Sequence, residues 1–306
     1  MDVLTASFSK KPAEPLDRTE IEQRLRNCPR LPSLGSINSA LRELLHADNR
    51  YSSQISDVIR RDPSLTARLL RLVNSVYYGF NSRINSIEEA VFYLGVRQIR
   101  QLATVTPIIE DFQRIAGKTP FPWRLFWQHC ISTAILTREI LSSDKPANDE
   151  ADYVAGLIHD VGKIAMAAVF PAHFNDIQQR IVAEPMDLLA LEVEVLGMDH
   201  AELGGLYLEY HNLPDVLVEA ARYHHQPEQA PLHSELVAAV QLADRLARYS
   251  KIGHSGNPGE VSFQDWVDSS GWGILYPHRE ATELDHKRAD LKRNLEHLPT
   301  ILEGIV

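Results

Sequence analysis

His159 and Asp160 stand side by side in the middle of an apolar run from Tyr153 to Met166. Leu157, Ile158, Val161 and Ile164 flank them so closely that both cannot face water. A buried carboxylate is costly unless it is paired, hydrogen-bonded or bound to a metal. Imidazole nitrogen and carboxylate oxygen are both ligands for first-row divalent metals. Lys163 follows Asp160 at helical spacing, where it can offer a cation to a phosphate or to Asp160 itself.

Taken alone, the pair reads as a hydrogen-bonded core contact. The rest of the chain supplies more groups of the same kind: His129, His200, His224, His225 and Asp244. Each alone also reads as a structural residue, but each sits near an apolar helical face. His129, His159, Asp160 and Asp244 make a set for a single metal. Adding His200, His224 and His225, with Asp160 bridging, makes a set for two. Two metals about 3.5–4 Å apart can clamp a phosphoryl group and activate water. Cys130 follows His129, but neighbouring helical positions point about 100° apart, so a Cys–His dyad is poor geometry there. His46, His173, His211, His233, His254, His278, His286 and His297 lie on polar or loop-like stretches and are expected to face solvent.

The elements that must bring these groups together read as helices throughout. Trp123 to Leu141 is an apolar helix in which Leu125, His129, Thr133, Leu136 and Ile140 share one face. A single helix is expected from Asp152 to Ala168, with Asp152 as its cap. Ile177 to Glu184 is helical until Pro185. Leu188 to Leu196 runs up to Gly197, and Asp199 caps a helix to Tyr210, with His200 in its first turn. Val216 to Tyr223 ends at His224-His225. Glu235 to Tyr249 buries Leu236, Val240, Ala243 and Ala247, with Asp244 on or beside that face. The fold class is all-α, two packed helical subdomains. Residues 1–18 are a mobile lead-in, 19–118 an N-terminal helical subdomain, 119–249 the subdomain with the His and Asp cluster, and 250–306 an extension ending in a helix through Leu284, Leu291, Leu295 and Leu298. Residues 250–280, rich in Gly, Pro and Ser and carrying Trp266 and Trp272, have no assigned structure. In the N-terminal half, Asp62-Pro63 opens a helix with a stripe through Leu65, Leu69, Leu72, Val73 and Val76.

With 306 residues, 44% of them hydrophobic and 24% charged, the chain is long enough for a large core. Its net charge of -10 argues against a general nucleic-acid or anionic-membrane binder, both of which need a basic face. That balance leaves room for a small phosphorylated ligand held in a local pocket. Two cysteines, Cys28 and Cys130, fit a reducing compartment. No apolar stretch approaches the roughly 20 residues that cross a bilayer, and Met1 to Glu20 lacks the core of a secretory signal. A cytoplasmic protein is expected.

The order His129, His159-Asp160, Asp244 resembles the HD superfamily of metal-dependent phosphohydrolases. The N-terminal half narrows the resemblance. Leu31-Pro32-Ser33-Leu34, the block from Ile59 through Asp62-Pro63 to Leu70, Val73-Asn74-Ser75, Tyr78-Gly79, and Ile84 to Gly95 look like the HDOD family, the HD-related output domain of bacterial signalling proteins. The resemblance covers about residues 31–248. It implies an all-helical fold whose C-terminal subdomain is HD-like, and a regulatory or scaffolding role without demonstrated hydrolase activity. Many such domains have lost HD ligands, whereas this chain keeps a nearly full set. It also departs from the HD-GYP cyclic-di-GMP phosphodiesterases, because Gln226-Pro227-Glu228-Gln229 follows His224-His225 with no Gly-Tyr-Pro.

Two functions follow as expectations. One is a signal-transduction output module that binds one or two divalent transition metal ions (Fe, Mn, Zn or Ni) and engages a protein partner. The other is a metal-dependent phosphohydrolase acting on a nucleotide or cyclic nucleotide. In that case Asp160 holds the metal and Lys163 steadies a phosphate oxygen. His200, His224 and His225 then hold a second ion or protonate the leaving group.

Overall fold

The computed structural model describes residues 14–28, 84–86, 89, 119–142, 151–184 and 186–295. Every regular element among them is helical. The helix expected from Asp62-Pro63, most of the expected N-terminal subdomain, and His46, His297 and Leu298 lie outside the described residues.

The chain builds α1 (Arg18–Arg26), α2 (Trp123–Ser142), α3 (Ala151–Ile158), α4 (Val161–Val169), α5 (Pro171–Ala183), α6 (Leu188–Leu196), α7 (His200–Tyr210), α8 (Asp215–Tyr223), α9 (Ser234–Tyr249), α10 (Phe263–Val267), α11 (Ser270–Leu275) and α12 (Ala281–Leu295). Local chemistry sets several of the boundaries. Asp187 and Asp199 cap α6 and α7, each accepting a hydrogen bond at 2.8 Å from the main-chain N–H three residues on. Gly197 ends α6 with φ of 100°, a conformation glycine adopts without strain. Ser262 and Asp265 form a reciprocal capping box at the start of α10.

One expected helix is two. The chain turns at His159-Asp160, so α3 ends and α4 begins where Asp152 to Ala168 reads as continuous. The cause is local. His159 Nδ1 lies 2.8 Å from Gly156 O, the carbonyl that a continuing helix would offer to the Asp160 N–H. Asp160 sits at φ −92°, ψ 17°, and its carbonyl accepts from Lys163 N at 3.0 Å. Asp152, expected as a cap, is a buried residue inside α3, with its carboxylate 3.9 Å from Arg138.

Packing places α2 between α3 and α9, brings α8 against α3 and α9, and lays α7 along α4 and α8. The α4–α7 crossing is close because Gly162 faces Gly204. A Cβ on Gly162 would stand 1.8 Å from His200 O. The segment after α9 is anchored through indoles: Trp266 Nε1 donates to Leu242 O at 3.0 Å, and Trp272 Nε1 donates to Trp266 O at 2.9 Å. Both tryptophans are buried, which explains their presence in a stretch whose Gly and Ser content masks its helices.

Three side-chain expectations are corrected. Leu125 is 43% exposed, although His129, Leu136 and Ile140 on the same helix are buried. His173 and His211 are buried instead of solvated. His173 Nε2 donates to Glu14 O at 2.9 Å, and His211 packs edge-on to Tyr207. Their cover comes from chain distant in sequence for His173 and from the preceding turn for His211.

Candidate metal centre

The helix packing converges on Asp160. His129 comes from the middle of α2, His159 and Asp160 from the α3–α4 turn, His200 from the first turn of α7, His224 and His225 from the end of α8, and Asp244 from α9. His129, His159, Asp160, His200, His224 and Asp244 are buried, and His225 is partly accessible.

The cluster has two sides. On one, His129 Nε2 lies 3.0 Å from Asp244 Oδ1, and His159 Nε2 lies 3.8 Å from the same oxygen. Asp160 Oδ2 faces this side, 3.5 Å from His159 Nε2 and 4.0 Å from His129 Nε2. On the other side Asp160 Oδ1 lies 3.2 Å from His200 Nε2 and 3.7 Å from His224 Nε2. His225 Nε2 is 3.0 Å from His200 Nε2. His129, His159 and Asp244, then His159, Asp160 and His224, then His200, His224 and His225 each form a group able to hold a metal ion.

Hydrogen bonds on the outer edge of the rings decide what points inward. A carbonyl oxygen only accepts, so His159 Nδ1 donates to Gly156 O and His224 Nδ1 donates to Ala221 O, each at 2.8 Å. Glu192 Oε2 accepts from His200 Nδ1 at 2.6 Å and from the His200 main-chain N at 2.8 Å. In their neutral forms His159 and His224 therefore aim a lone pair at the carboxylates, and neither Nε2 has a hydrogen-bond partner. Buried lone pairs facing carboxylate oxygens need something positive between them, a proton on the ring or a metal ion.

The donor set fits a transition metal. Bonds of about 2.0–2.2 Å to nitrogen and oxygen place neighbouring ligand atoms about 3–3.6 Å apart, close to the separations above. The outer hydrogen bonds to carboxylate and carbonyl are those that orient metal-bound histidines.

Electrostatics push these groups apart in titration. Burial would raise the Asp160 carboxyl, but the Lys163 ammonium and His159 hold it well below the usual carboxylate range. Asp244 is likewise held well down against burial by His129 and His159. Burial lowers His129. It also works against protonation of His159 and His200. Asp160 nevertheless raises His159, and Glu192 pushes His200 up to about 9. Burial and His159 bring His224 down to about 3, while burial and His224 hold His225 well below its ordinary value. The Cys130 thiol is driven up by burial, then by Asp160, which leaves it protonated and inert.

A cleft of about 360 Å³ opens onto this cluster. Asp160, Asp244, His200 and His225 reach it, with Lys163, Arg245 and Arg248 beside them, and Met186, Leu188 and Leu189 form an apolar stretch of wall. Arg248 Nη2 donates to Gly259 O at 3.0 Å, and its Nε is enclosed without a hydrogen-bond partner. Arg245 is tied to Asp265 O and Ser269 Oγ.

Sequence reasoning missed Glu192, Gln241, Arg245 and Arg248. Glu192 had a signal, a lone acid on the same face as Leu188, Leu191 and Val195. Gln241 donates to His225 O at 3.0 Å and accepts from Gly271 N at 2.9 Å, linking the His225 turn to the segment after α9.

The HDOD domain family matches residues 31–227. A Treponema pallidum protein described as uncharacterized is 26% identical over 237 residues, 75% of this chain and 44% of that protein, so the chain spans under half the length of that relative. An HDOD domain protein of unknown function from Geobacter sulfurreducens aligns with TM-score 0.72 at 24% identity, covering 92% of this chain and 99% of that one. A Shewanella amazonensis protein provisionally named a phosphohydrolase aligns with TM-score 0.67 at 22% identity, covering 94% and 98%. The family match ends before α9, so Asp244 and the cleft residues after it lie beyond the matched segment. Among the described residues no helix is long and apolar enough to cross a membrane. The family match spans most of the chain and the helical fold agrees with it, so this protein belongs to the HDOD family.

Proposed function

We propose that this chain is a regulatory HDOD domain whose His and Asp cluster binds a divalent transition metal, and through it a small phosphorylated ligand in the adjoining cleft. The supporting observation is the inward lone-pair arrangement. His159 and His224 give their Nδ1 protons to main-chain carbonyls, and their unpartnered Nε2 atoms face the Asp160 and Asp244 carboxylates. Imidazole and carboxylate together suit Fe, Mn, Zn or Ni, and availability selects among them. Engagement of a protein partner in a signalling pathway belongs to the same proposal and rests on family membership alone.

The cleft also favours a second reading, a metal-dependent phosphohydrolase. Its floor is made of would-be ligands instead of being sealed from them. A bound divalent ion supplies an acidified water that can act as a nucleophile at neutral pH. The protein's own part is positioning. His129, His159, Asp244 and Asp160 hold one side, and His200, His224 and His225 with Asp160 hold the other. Lys163 presents an ammonium at the floor, and Arg248 adds a guanidinium one turn beyond Asp244 for phosphate oxygens. Before an ion binds, the carboxylates along the cleft, Asp160, Asp187, Asp244 and Glu260, are balanced by Lys163, Arg245, Arg248 and a protonated His200. An ion adds positive charge, so phosphate affinity should depend on metal.

Elemental analysis of purified protein beside Asp160→Ala tests the metal reading. Stoichiometric metal in the first and none in the second is expected, and equal metal content in both defeats it. Hydrolysis of a generic phosphodiester, abolished by Asp160→Ala and impaired by Arg248→Ala, is the expected result for the second reading. No turnover with the metal-loaded protein on a broad phosphoester panel leaves the binding role alone.

A further inference from the structure

Lys163 is a buried cation inside the cluster of would-be ligands. Its Nζ donates to Asp160 Oδ2 at 2.7 Å, and the residue is 5% exposed. Gly256, in the loop after α9, faces its stem, with the Cβ position 3.9 Å from Lys163 Cδ. The side chain is therefore enclosed between the carboxylate and a loop.

The two oxygens of Asp160 have different surroundings. Oδ1 faces His200 and His224. Oδ2 faces His129 and His159 and also carries the ammonium. A divalent ion among His129, His159 and Asp244 would share Oδ2 with a fixed positive charge, and like charges this close repel strongly where water is excluded. An ion among His200, His224 and His225 would use the oxygen that Lys163 does not touch. That side also has more of the approach: two of its three imidazoles, His200 and His225, line the cleft, whereas only Asp244 of the other half does.

We infer that Lys163 makes the two halves of the centre unequal, so that the His200–His224–His225 half takes the first divalent ion and the His129–His159–Asp244 half binds a second only weakly. Lys163 is here a positioning residue for metal loading, and the inference rests on the metal-binding reading above. It accounts for a chain that retains ligands for two ions while placing a lysine against the carboxylate they would share.

Titration of metal-free protein with Mn²⁺, followed by native mass spectrometry and elemental analysis, separates the cases. Wild type should take one ion tightly and a second at least about tenfold more weakly. Lys163→Met should bring the two affinities together. In the wild-type background, His225→Gln should remove the tight ion and His129→Gln should keep it. That pair decides the matter even if Lys163→Met folds poorly. Two ions of equal affinity in wild type, or loss of the tight ion in His129→Gln with retention in His225→Gln, overturns the inference while leaving metal binding intact. Absence of any bound ion in wild type removes the metal-binding reading and this inference together.

Discussion

Glu192 and His200 meet through one carboxylate oxygen that accepts both the ring Nδ1–H at 2.6 Å and the main-chain N–H at 2.8 Å. The contact joins the middle of α6 to the first turn of α7 across the Gly197 turn. It fixes the tautomer of His200, turns Nε2 toward Asp160 and puts a negative charge at a helix N-terminus, where it is favourable.

Removing that charge should weaken metal binding without unfolding the domain. Glu192→Gln is expected to lower affinity about 10–100-fold, the usual effect of losing a carboxylate behind a metal-bound histidine. Chelator competition measures it. Unchanged affinity would mean that His200 is not a ligand or that its orientation is set elsewhere.

Gly162 should be intolerant of any side chain. Its Cβ position lies 1.8 Å from His200 O and 2.8 Å from Gly204 N, both main-chain atoms that cannot rotate away. Gly162→Ala must push α4 off α7 and separate Asp160 from His200. A loss of about 1–3 kcal/mol or more, the usual cost of overpacking, is expected from thermal melts. Gly273→Ala is the control, since nothing lies within 4 Å of its Cβ position. Gly273 sits in α11, so that change should be neutral or stabilise by about 0.5–1 kcal/mol. Equal melting points for the two variants would contradict the close α4–α7 crossing.

Part of this geometry is legible in the sequence. Apolar spacing at 3.6-residue period points His129 to the inner face of α2 and puts Asp244 on or beside that of α9, and the Asp199 cap puts His200 at a helix start. Other features depend on contacts that periodicity does not encode. The α3–α4 break arises because the His159 ring takes a main-chain carbonyl, which no propensity scale reports. His173 stands between Ala172 and Phe174 near the start of α5 and is covered by the segment around Glu14, a contact distant in sequence. Arg248 reads as an ordinary helix-end cation until the loop at Gly259 folds back onto it. Glu192 could have been found, since a lone acid on an apolar stripe calls for a buried partner.

The metal-free protein should be most stable near neutral pH and lose stability on both sides. His224 is held down to about 3, so the folded state refuses a proton that the unfolded chain takes below its ordinary value of about 6.5. Stability is full above that value and falls with pH toward 3. The slope is about 1.4 kcal/mol per pH unit for each such histidine, and His225 adds to it. His200 works the other way. Its folded value is pushed up to about 9, so its contribution is complete below about 6.5 and is lost as pH rises through 9. Melting curves from pH 5 to 9.5 in chelator should trace a dome. His224→Gln should flatten the acid limb and Glu192→Gln the alkaline limb. A metal-free protein whose stability rises steadily from pH 7 to pH 5 would contradict the His224 environment.

Asp160 and Lys163 are mutual partners in a site that excludes water, so breaking the pair should be worse than removing it. The side chains are 2% and 6% exposed, and 2.7 Å separates their charges. Asp160→Ala leaves the ammonium buried without its carboxylate, which typically costs about 3–5 kcal/mol. Lys163→Met leaves Asp160 facing His159 and His200, which still offer positive charge, so its cost should be smaller. The double change removes both charges together. It should therefore be less destabilised than the sum of the single changes, with a coupling of about 0.5–3 kcal/mol. Chemical denaturation of the four metal-free proteins gives the cycle. Additive single effects would show that the pair is weakly coupled. In that event Lys163 could swing free of Asp160 Oδ2, and both halves of the centre would have equal access to the carboxylate between them.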